Sequence, residues 1–395
     1  MRALGLGLVL AITVGCRNEP PALNPLPVGQ DYLWPLPFPS ERVAKRSSLE
    51  DEILTKLCEL GVSVVDTRLT IEPKALDSEG EFLPGLAEKL AQITKIADVR
   101  TPEVPRLGPK TACQVLRNPL LTVVDLNTTQ VPSEAAELLA ALPELRVLLL
   151  HPSTRVPVDV LAKLGKEKWL SRVAISVENI TPTAMVSFLQ APQLEELTLY
   201  APITPEVAEV LARAPKLRSL SLRGSGTPSA ALVPLAGLVG LMDLALDGCP
   251  VTPEVLTALA RCRTLESLSL HNTELNIACA TELLRFARLY SLYLSGNPIG
   301  DEFAGVLSRS TTISILNICE TKITDAGLLA LAKIGTLVIL SAYDLDLSDA
   351  CLPALARHPR LRSFYGRTPR MTDSAWADFE IAKPYIIEGS NMGQQ

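Results

Sequence analysis

The sequence is poor in the residues that most enzymes and nucleic-acid binders depend on. It holds three histidines, His151, His271 and His358, and no Cys-x-x-Cys pair, G-x-S-x-G, phosphate loop or H-E-x-x-H. No nucleophile elbow, nucleotide cradle or zinc site is therefore legible, and no cofactor or small-molecule substrate is implied. Aromatic residues make up 4% of the chain and the formal net charge is −6. Without a basic field to gather phosphates, and with few rings to stack bases, nucleic acid is excluded as an expected partner. Long apolar runs are scarce too. The one that exists, Ala3 to Val14, is about 12 residues long, too short to span a bilayer and the length of a signal-peptide core.

That run ends at Thr13-Val14-Gly15-Cys16, which resembles the lipobox of bacterial lipoproteins, in which the cysteine after a small residue is lipidated. The resemblance implies that residues 1–15 are removed and that Cys16 carries a membrane anchor. Between Pro20 and Pro39 lie seven prolines, a density that favours extended polyproline II and prevents helix or sheet interiors. Residues 16–46 are expected to be a tether.

Ordered structure is expected from Ser47-Ser48, which precede Glu50 and Asp51 as in a capping box. Leu49, Ile53, Leu57 and Leu60 then fall on one face of a short helix that stops at Gly61. Val62–Val65 and Ile93–Val99 look like strands and Leu83–Leu90 like a helix. We read residues 47–120 as a cap, since the end of a repeat array must be covered from water.

From Leu121 a unit of 24 residues recurs. Its first residue falls at Leu121, Leu145, Leu170, Leu194, Leu217, Leu241, Leu265, Leu289, Ile313, Leu337 and Leu361. The fourth position is Val, Leu or Phe in every unit, and the sixth is Leu or Ile through Ile318 before giving way to Ala342 and Gly366. That alternation is the period of a strand with one buried face. The second half of each unit has helix-start chemistry. Thr181-Pro182, Thr204-Pro205 and Thr252-Pro253 pair an N-cap with a proline at the first helical position, and Thr324-Asp325, Ser348-Asp349 and Thr372-Asp373 place an acid there instead. Pro119, Pro143, Pro192, Pro215 and Pro359 stand two residues before the next unit, where the helix must end.

Strand, turn, helix and return cannot bury an apolar face alone, so the units must stack. Leu289-Tyr-Ser-Leu292-Tyr-Leu294-Ser-Gly-Asn297-Pro-Ile299 and Leu241 to Val251, with Cys249 at the ninth position, resemble the leucine-rich repeat family over 121–381. The resemblance implies an α/β solenoid, horseshoe-shaped, with a parallel sheet on the concave side and helices on the convex side. Residues 382–395 follow as a tail. The family uses Asn or Cys at the ninth position to bond the turn backbone. Thr129, Ser153, Thr273 and Thr321 can substitute, whereas Glu178, Pro202, Leu345 and Pro369 cannot do so in the same way, and Ser225 fills the position in its unit.

Cysteine placement argues against a disulfide framework. Cys262, Cys279 and Cys351 read as small core residues, Cys249 as part of the turn ladder, and only Cys58 with Cys113 is a candidate pair. Function is expected on the outward strand positions, the third, fifth and seventh of each unit, which combine mixed charge, many small hydroxyls and several tyrosines. Tyr343, Tyr365 and Arg367 are expected to gather at the C-terminal end of the concave face, with Tyr293 three strands back and His271 in the same row. Asp243 and Asp247 would form a secondary acidic element near mid-array. The expected function is non-enzymatic protein binding at the bacterial cell envelope, periplasmic or surface-exposed. The alternative is a structural or adhesive component that binds carbohydrate or a host surface.

Overall fold

The computed structural model describes residues 48–383 apart from 66, 92, 94, 95, 215, 224 and 225. The signal peptide, Cys16, the tether, Ser47, Pro215, Ser225 and the tail beyond 383 lie outside the described residues. The chain divides into two compact units, one running to Asn179 with Gln190–Leu194 and the other comprising Ile180–Leu189 and Glu195 onward.

In the first unit, helix α1 (Ser48–Glu59) ends at Gly61, whose φ of +87° is open to glycine at little cost. Strands β1 (Val62–Val65) and β2 (Arg68–Ile71) form an antiparallel hairpin. Helix α2 (Leu86–Leu90), β3 (Asp98–Arg100), α3 (Pro109–Leu116), β4 (Val123–Leu126), α4 (Ser133–Leu139) and β5 (Val147–Leu150) follow. The unit continues through the two-residue β6 (Arg155–Val156), α5 (Val158–Leu164) and β7 (Arg172–Val177). From β2 to β7 the pairing is parallel, and β6 adds a separate short ladder to the far end of β7. Of the strand expected over Ile93–Val99, residues 93, 96 and 97 are not strand, and 94 and 95 lie outside the described residues. Strand β2 was not legible as an element, because Arg68-Leu-Thr-Ile71 is too short to display a period.

The second unit opens with α6 (Pro182–Phe188), β8 (Glu196–Leu199), α7 (Pro205–Leu211), β9 (Ser219–Leu222), α8 (Ser229–Leu232) and β10 (Asp243–Ala245). It proceeds through α9 (Pro253–Leu259), β11 (Ser267–Ser269), α10 (Ile277–Leu283), β12 (Ser291–Tyr293), α11 (Asp301–Leu307) and β13 (Ile315–Asn317). It ends with α12 (Asp325–Leu331), β14 (Ile339–Ser341), α13 (Leu352–Arg357), β15 (Ser363–Tyr365) and α14 (Asp373–Ala382). The strands from β8 to β15 pair in parallel with no slip, so Leu220, Leu244, Leu268, Leu292, Leu316, Leu340 and Phe364 stand in one row. Every member of that row is at most 2% exposed.

The turn after each strand has a fixed conformation. The eighth residue of five successive units, Gly248, Asn272, Gly296, Glu320 and Asp344, has φ between +53° and +74°. Gly and Asn adopt this left-handed geometry readily. Next to it sits the ladder. Thr129, Thr273 and Thr321 each donate Oγ1 to a backbone carbonyl, and Cys249 Sγ faces Leu222 O at 3.9 Å. Threonines near the ninth position also bond the backbone of the preceding unit. Buried Thr154 and Thr227 accept from Val131 N and Ile203 N, and Thr368 donates to Leu347 O. Glu178 leaves the ladder and pairs with Arg155 at 2.6 Å.

Helix starts carry a device the sequence only half disclosed. Thr181, Thr204, Thr324, Ser348 and Thr372 cap their own helices, while Thr252 holds the position without a side-chain cap bond. In addition, the acid at the start of one helix reaches across to the cap of the next. Asp301 accepts from Thr324 N, Thr324 Oγ1 and Gly327 N, Asp325 from Ser348 N and Oγ, and Asp349 from Thr372 N and Oγ1, all at 2.6–2.9 Å.

The array ends on aromatic packing. Trp376 and Phe379 of α14 lie 6.1 Å and 5.9 Å from Phe364, centroid to centroid, and seal the last row. Cys249, Cys262, Cys279, Cys319 and Cys351 are buried free thiols. Cys58 and Cys113 are also free, so the candidate disulfide is not formed. Among the described residues, no helix is long and apolar enough to cross a membrane.

Candidate binding surface

The third and fifth positions of the second unit project from the sheet face opposite the leucine row. Register places Asp243, Ser267, Ser291, Ile315, Ile339 and Ser363 in one line and Ala245, Ser269, Tyr293, Asn317, Ser341 and Tyr365 in the next.

This face is less open than its sequence suggests. Ser267, Ser269, Ser291, Ser295, Asn317, Ser341 and Ser363 are all at most 6% exposed, so the expected field of free hydroxyls is not available. Strands about 4.8 Å apart allow a longer neighbour to roof a serine. Several of these groups also satisfy one another: Ser295 Oγ meets Asn317 Oδ1 at 2.5 Å, and Ser269 Oγ donates to Asp247 at 2.6 Å.

The candidate residues separate into three groups. Tyr343 and Tyr365 come together as expected, with ring centroids 6.2 Å apart and an interplanar tilt of 38°. Both are half-buried. Burial, with the Cys319 thiol and Tyr365 beside it, pushes the Tyr343 phenol up to about 12, so it stays protonated as a donor. Tyr343 N–H in turn donates to Cys319 Sγ at 3.2 Å.

Arg367 turns the other way. Its guanidinium lies 5.4 Å from the Trp376 ring centre, and Nη2 is 2.5 Å from Asp373 Oδ1, so it clasps α14. The 24-residue period could not show this, because Trp376 stands where the two preceding units carry Leu328 and Leu352.

The third group lies at mid-array. Asp247 accepts from Ser269 Oγ and from His271 N at 3.3 Å, and faces Arg223 Nε at 3.7 Å, so its charge is answered internally. His271 is half-buried beside it. Asp243 is different, because burial together with Glu196 and Glu266 pushes its carboxyl up to about 6. Tyr293 is 4% exposed and its hydroxyl has no hydrogen-bond partner. Among the described residues no three His, Cys, Asp or Glu side chains form a group able to hold a metal.

No family model matches the chain, and no curated protein matches it. Among solved structures it is similar to an internalin from Listeria monocytogenes, with a TM-score of 0.50 at 16% sequence identity over 88% of this chain and 95% of the internalin. The fold is a leucine-rich repeat fold. At that identity the likeness extends to architecture alone, so the binding surface of this chain must be argued from its own side chains.

Proposed function

We propose that this chain is a non-enzymatic protein-binding scaffold, lipid-anchored at Cys16 in the bacterial cell envelope, and that it engages its partner through the helix-free face of the sheet. The observation that carries the reading is the Tyr343–Tyr365 pair, two half-buried rings in contact on a face whose other positions are mostly small and covered. Tyrosine combines large contact area with a polar handle, and such residues dominate binding energy where they cluster. A partner captured from envelope extracts should bind the Tyr343→Ala, Tyr365→Ala double variant at least about 30-fold more weakly, equivalent to about 2 kcal/mol, with the melting temperature retained. Normal binding by the double variant, with loss instead from changes on the helices, would reject the assignment. A glycan array that lights up while no protein is captured would favour the carbohydrate-binding alternative.

The anchor has its own test. Cys16→Ser should move the protein from the membrane to the soluble fraction, since the short apolar run of Ala3 to Val14 cannot hold it. Unchanged fractionation would remove lipidation from the account.

A further inference from the structure

We propose that the helix-to-strand edge of the second unit is a membrane-contact surface that lies against anionic phospholipid headgroups. The proposal takes from the Cys16 reading only that the chain is held beside a membrane, and it leaves the helix-free face open to the protein partner.

The edge is built by the returns that join each helix to the next strand. Strands β9 to β15 pair without slip, so the returns stack side by side. Bonds between neighbours tie them together: Thr264 Oγ1 donates to Leu241 O at 2.7 Å, Thr336 Oγ1 donates to Ile313 O at 2.6 Å, and His358 Nε2 meets Ile334 O at 2.9 Å. The Lys383 ammonium, just past α14, donates to His358 O and joins the end of that helix to the same row.

A net charge of −6 conceals how this edge is charged. Toward the C-terminus, residues 284–300, 303–319, 326–343 and 350–372, which run through helix ends, returns and strands, contain no Asp or Glu. The acids of these units sit at the opposite edge, on turns and helix starts. There Asp301, Asp325 and Asp349 are taken by helix caps, and Asp346 and Asp373 by Arg370 and Arg367. The cations of the helix-to-strand edge are not answered in that way. Arg285 pairs with Glu282 at 2.9 Å, but the exposed Arg261, Arg263, Arg288, Arg309, Lys333 and Arg360 have no carboxylate within ion-pair distance among the described residues. Helix polarity accounts for part of this, since Arg261, Arg309 and Lys333 directly follow helix C-caps. Arg263, Arg288 and Arg360 stand in the returns, beyond the last helical turn, where that attraction has faded.

The second observation is apolar. Among the described residues the two most exposed large apolar side chains are Val239, at 83%, and Ile381, at 78%. Both belong to this edge. Val239 O accepts from Thr264 Oγ1 at 3.0 Å, and Ile381 stands in the last turn of α14, two residues before Lys383. The first unit, taken by itself, repeats the combination in the same part of its repeat: Trp169 is exposed with the Arg146 guanidinium 5.7 Å from its ring centre, and Lys166 and Lys168 precede it. Basic side chains interspersed with fully presented apolar ones suit a headgroup layer, where cations meet phosphates and apolar tips enter the acyl boundary. An acidic protein would draw on the cations alone. These are also spread one or two to a return from Arg261 onward, whereas a protein hot spot gathers its anchors at one place.

Co-sedimentation of the full chain carrying Cys16→Ser, which removes any lipid of its own, tests this with vesicles of phosphatidylcholine containing about 30% phosphatidylglycerol and of phosphatidylcholine alone. At about 50 mM sodium chloride the chain should bind the anionic vesicles at least tenfold more tightly than the neutral ones. At about 500 mM, where the screening length falls to about 4 Å, the difference should vanish. Arg309→Glu with Lys333→Glu should weaken anionic-vesicle binding at least tenfold. Lys110→Glu with Lys322→Glu, the same change in net charge at the start of α3 and in the turn after β13, should weaken it less than threefold, with the melting temperature retained in both. Val239→Ser with Ile381→Ser, which keeps the charge, should weaken it at least threefold. Equal binding to the two kinds of vesicle, binding that survives about 500 mM salt, or equal effects of the two charge reversals overturns the proposal. Unchanged binding by the Val239→Ser, Ile381→Ser variant overturns it as well, in favour of an acidic protein on this edge. The Cys16 anchor is judged separately, on cell membranes washed at about 500 mM salt, where the edge contributes nothing and only a lipid can hold the chain.

Discussion

Leu268→Ala should lower unfolding free energy by about 2–5 kcal/mol, among the largest effects available from a single truncation in this chain. Leu268 is fully buried at the centre of β11, in register between Leu244 and Leu292. A stacked unit cannot collapse onto the cavity unless the units on either side move too, so the cavity cost adds to the lost burial. The control must be a residue that is exposed in the fold. Ser269 is unsuitable despite its outward position, being 5% exposed and bonded to Asp247. Glu209 on α7 is exposed, and Glu209→Ala should cost under about 0.5 kcal/mol. Urea unfolding followed by circular dichroism measures both, and the transition for so long an array need not be two-state. If Leu268→Ala and Glu209→Ala prove equally mild, the assignment of the fourth position to the core fails. The C-terminal row is not expected to be tolerant, since Phe364 is 1% exposed beneath Trp376 and Phe379.

The features that repeat were legible in the sequence, and those that answer a neighbouring unit were not. Leucine spacing located the strands of the array and their register, because side-chain alternation and a 24-residue period are one-dimensional signals. The Thr-Pro and Thr-Asp pairs marked the helix starts. What escaped depends on the third dimension. Asp301, Asp325 and Asp349 recur at 24-residue spacing, yet nothing in one unit says that each carboxylate serves the cap of the next. Ser267 and Ser291 look solvent-facing until the adjacent strand is placed beside them. Tyr343 and Tyr365 were brought together by register alone, whereas Arg367 was claimed by α14 and Asp247 by Ser269 and His271. Asp243 and Asp247 are equivalent as letters, and only their neighbours distinguish an acid facing Arg223 from one set beside Glu196 and Glu266.

Asn297→Ala should be at least as damaging as the loss of a core leucine, for a different reason. Asn297 is 1% exposed in the turn after β12. Its Nδ2 donates to Leu270 O at 2.7 Å and Leu294 O at 2.8 Å, and its Oδ1 accepts from Thr273 N and Leu275 N, both at 3.1 Å. One amide thus satisfies four backbone groups in two consecutive units, at a place where the chain leaves the sheet and cannot pair with a strand. Alanine would orphan three of them away from water, since Leu270 O keeps the Thr273 hydroxyl as a donor. Each buried unpaired group costs about 1–3 kcal/mol, and with local relaxation the total should be on the order of 3–5 kcal/mol. Thr273 and Thr321 show what a hydroxyl can recover, since each donates Oγ1 to the carbonyl three residues earlier, at 2.9 Å and 2.8 Å. Asn297→Thr should therefore restore the bond to Leu294 O and regain a measurable part of the loss, about 1 kcal/mol, without reaching wild type. Equilibrium urea unfolding of the two variants decides it. A loss below 1 kcal/mol for alanine, or threonine no better than alanine, would mean that the ninth-position side chain fills space in the turn and does not hold its backbone together.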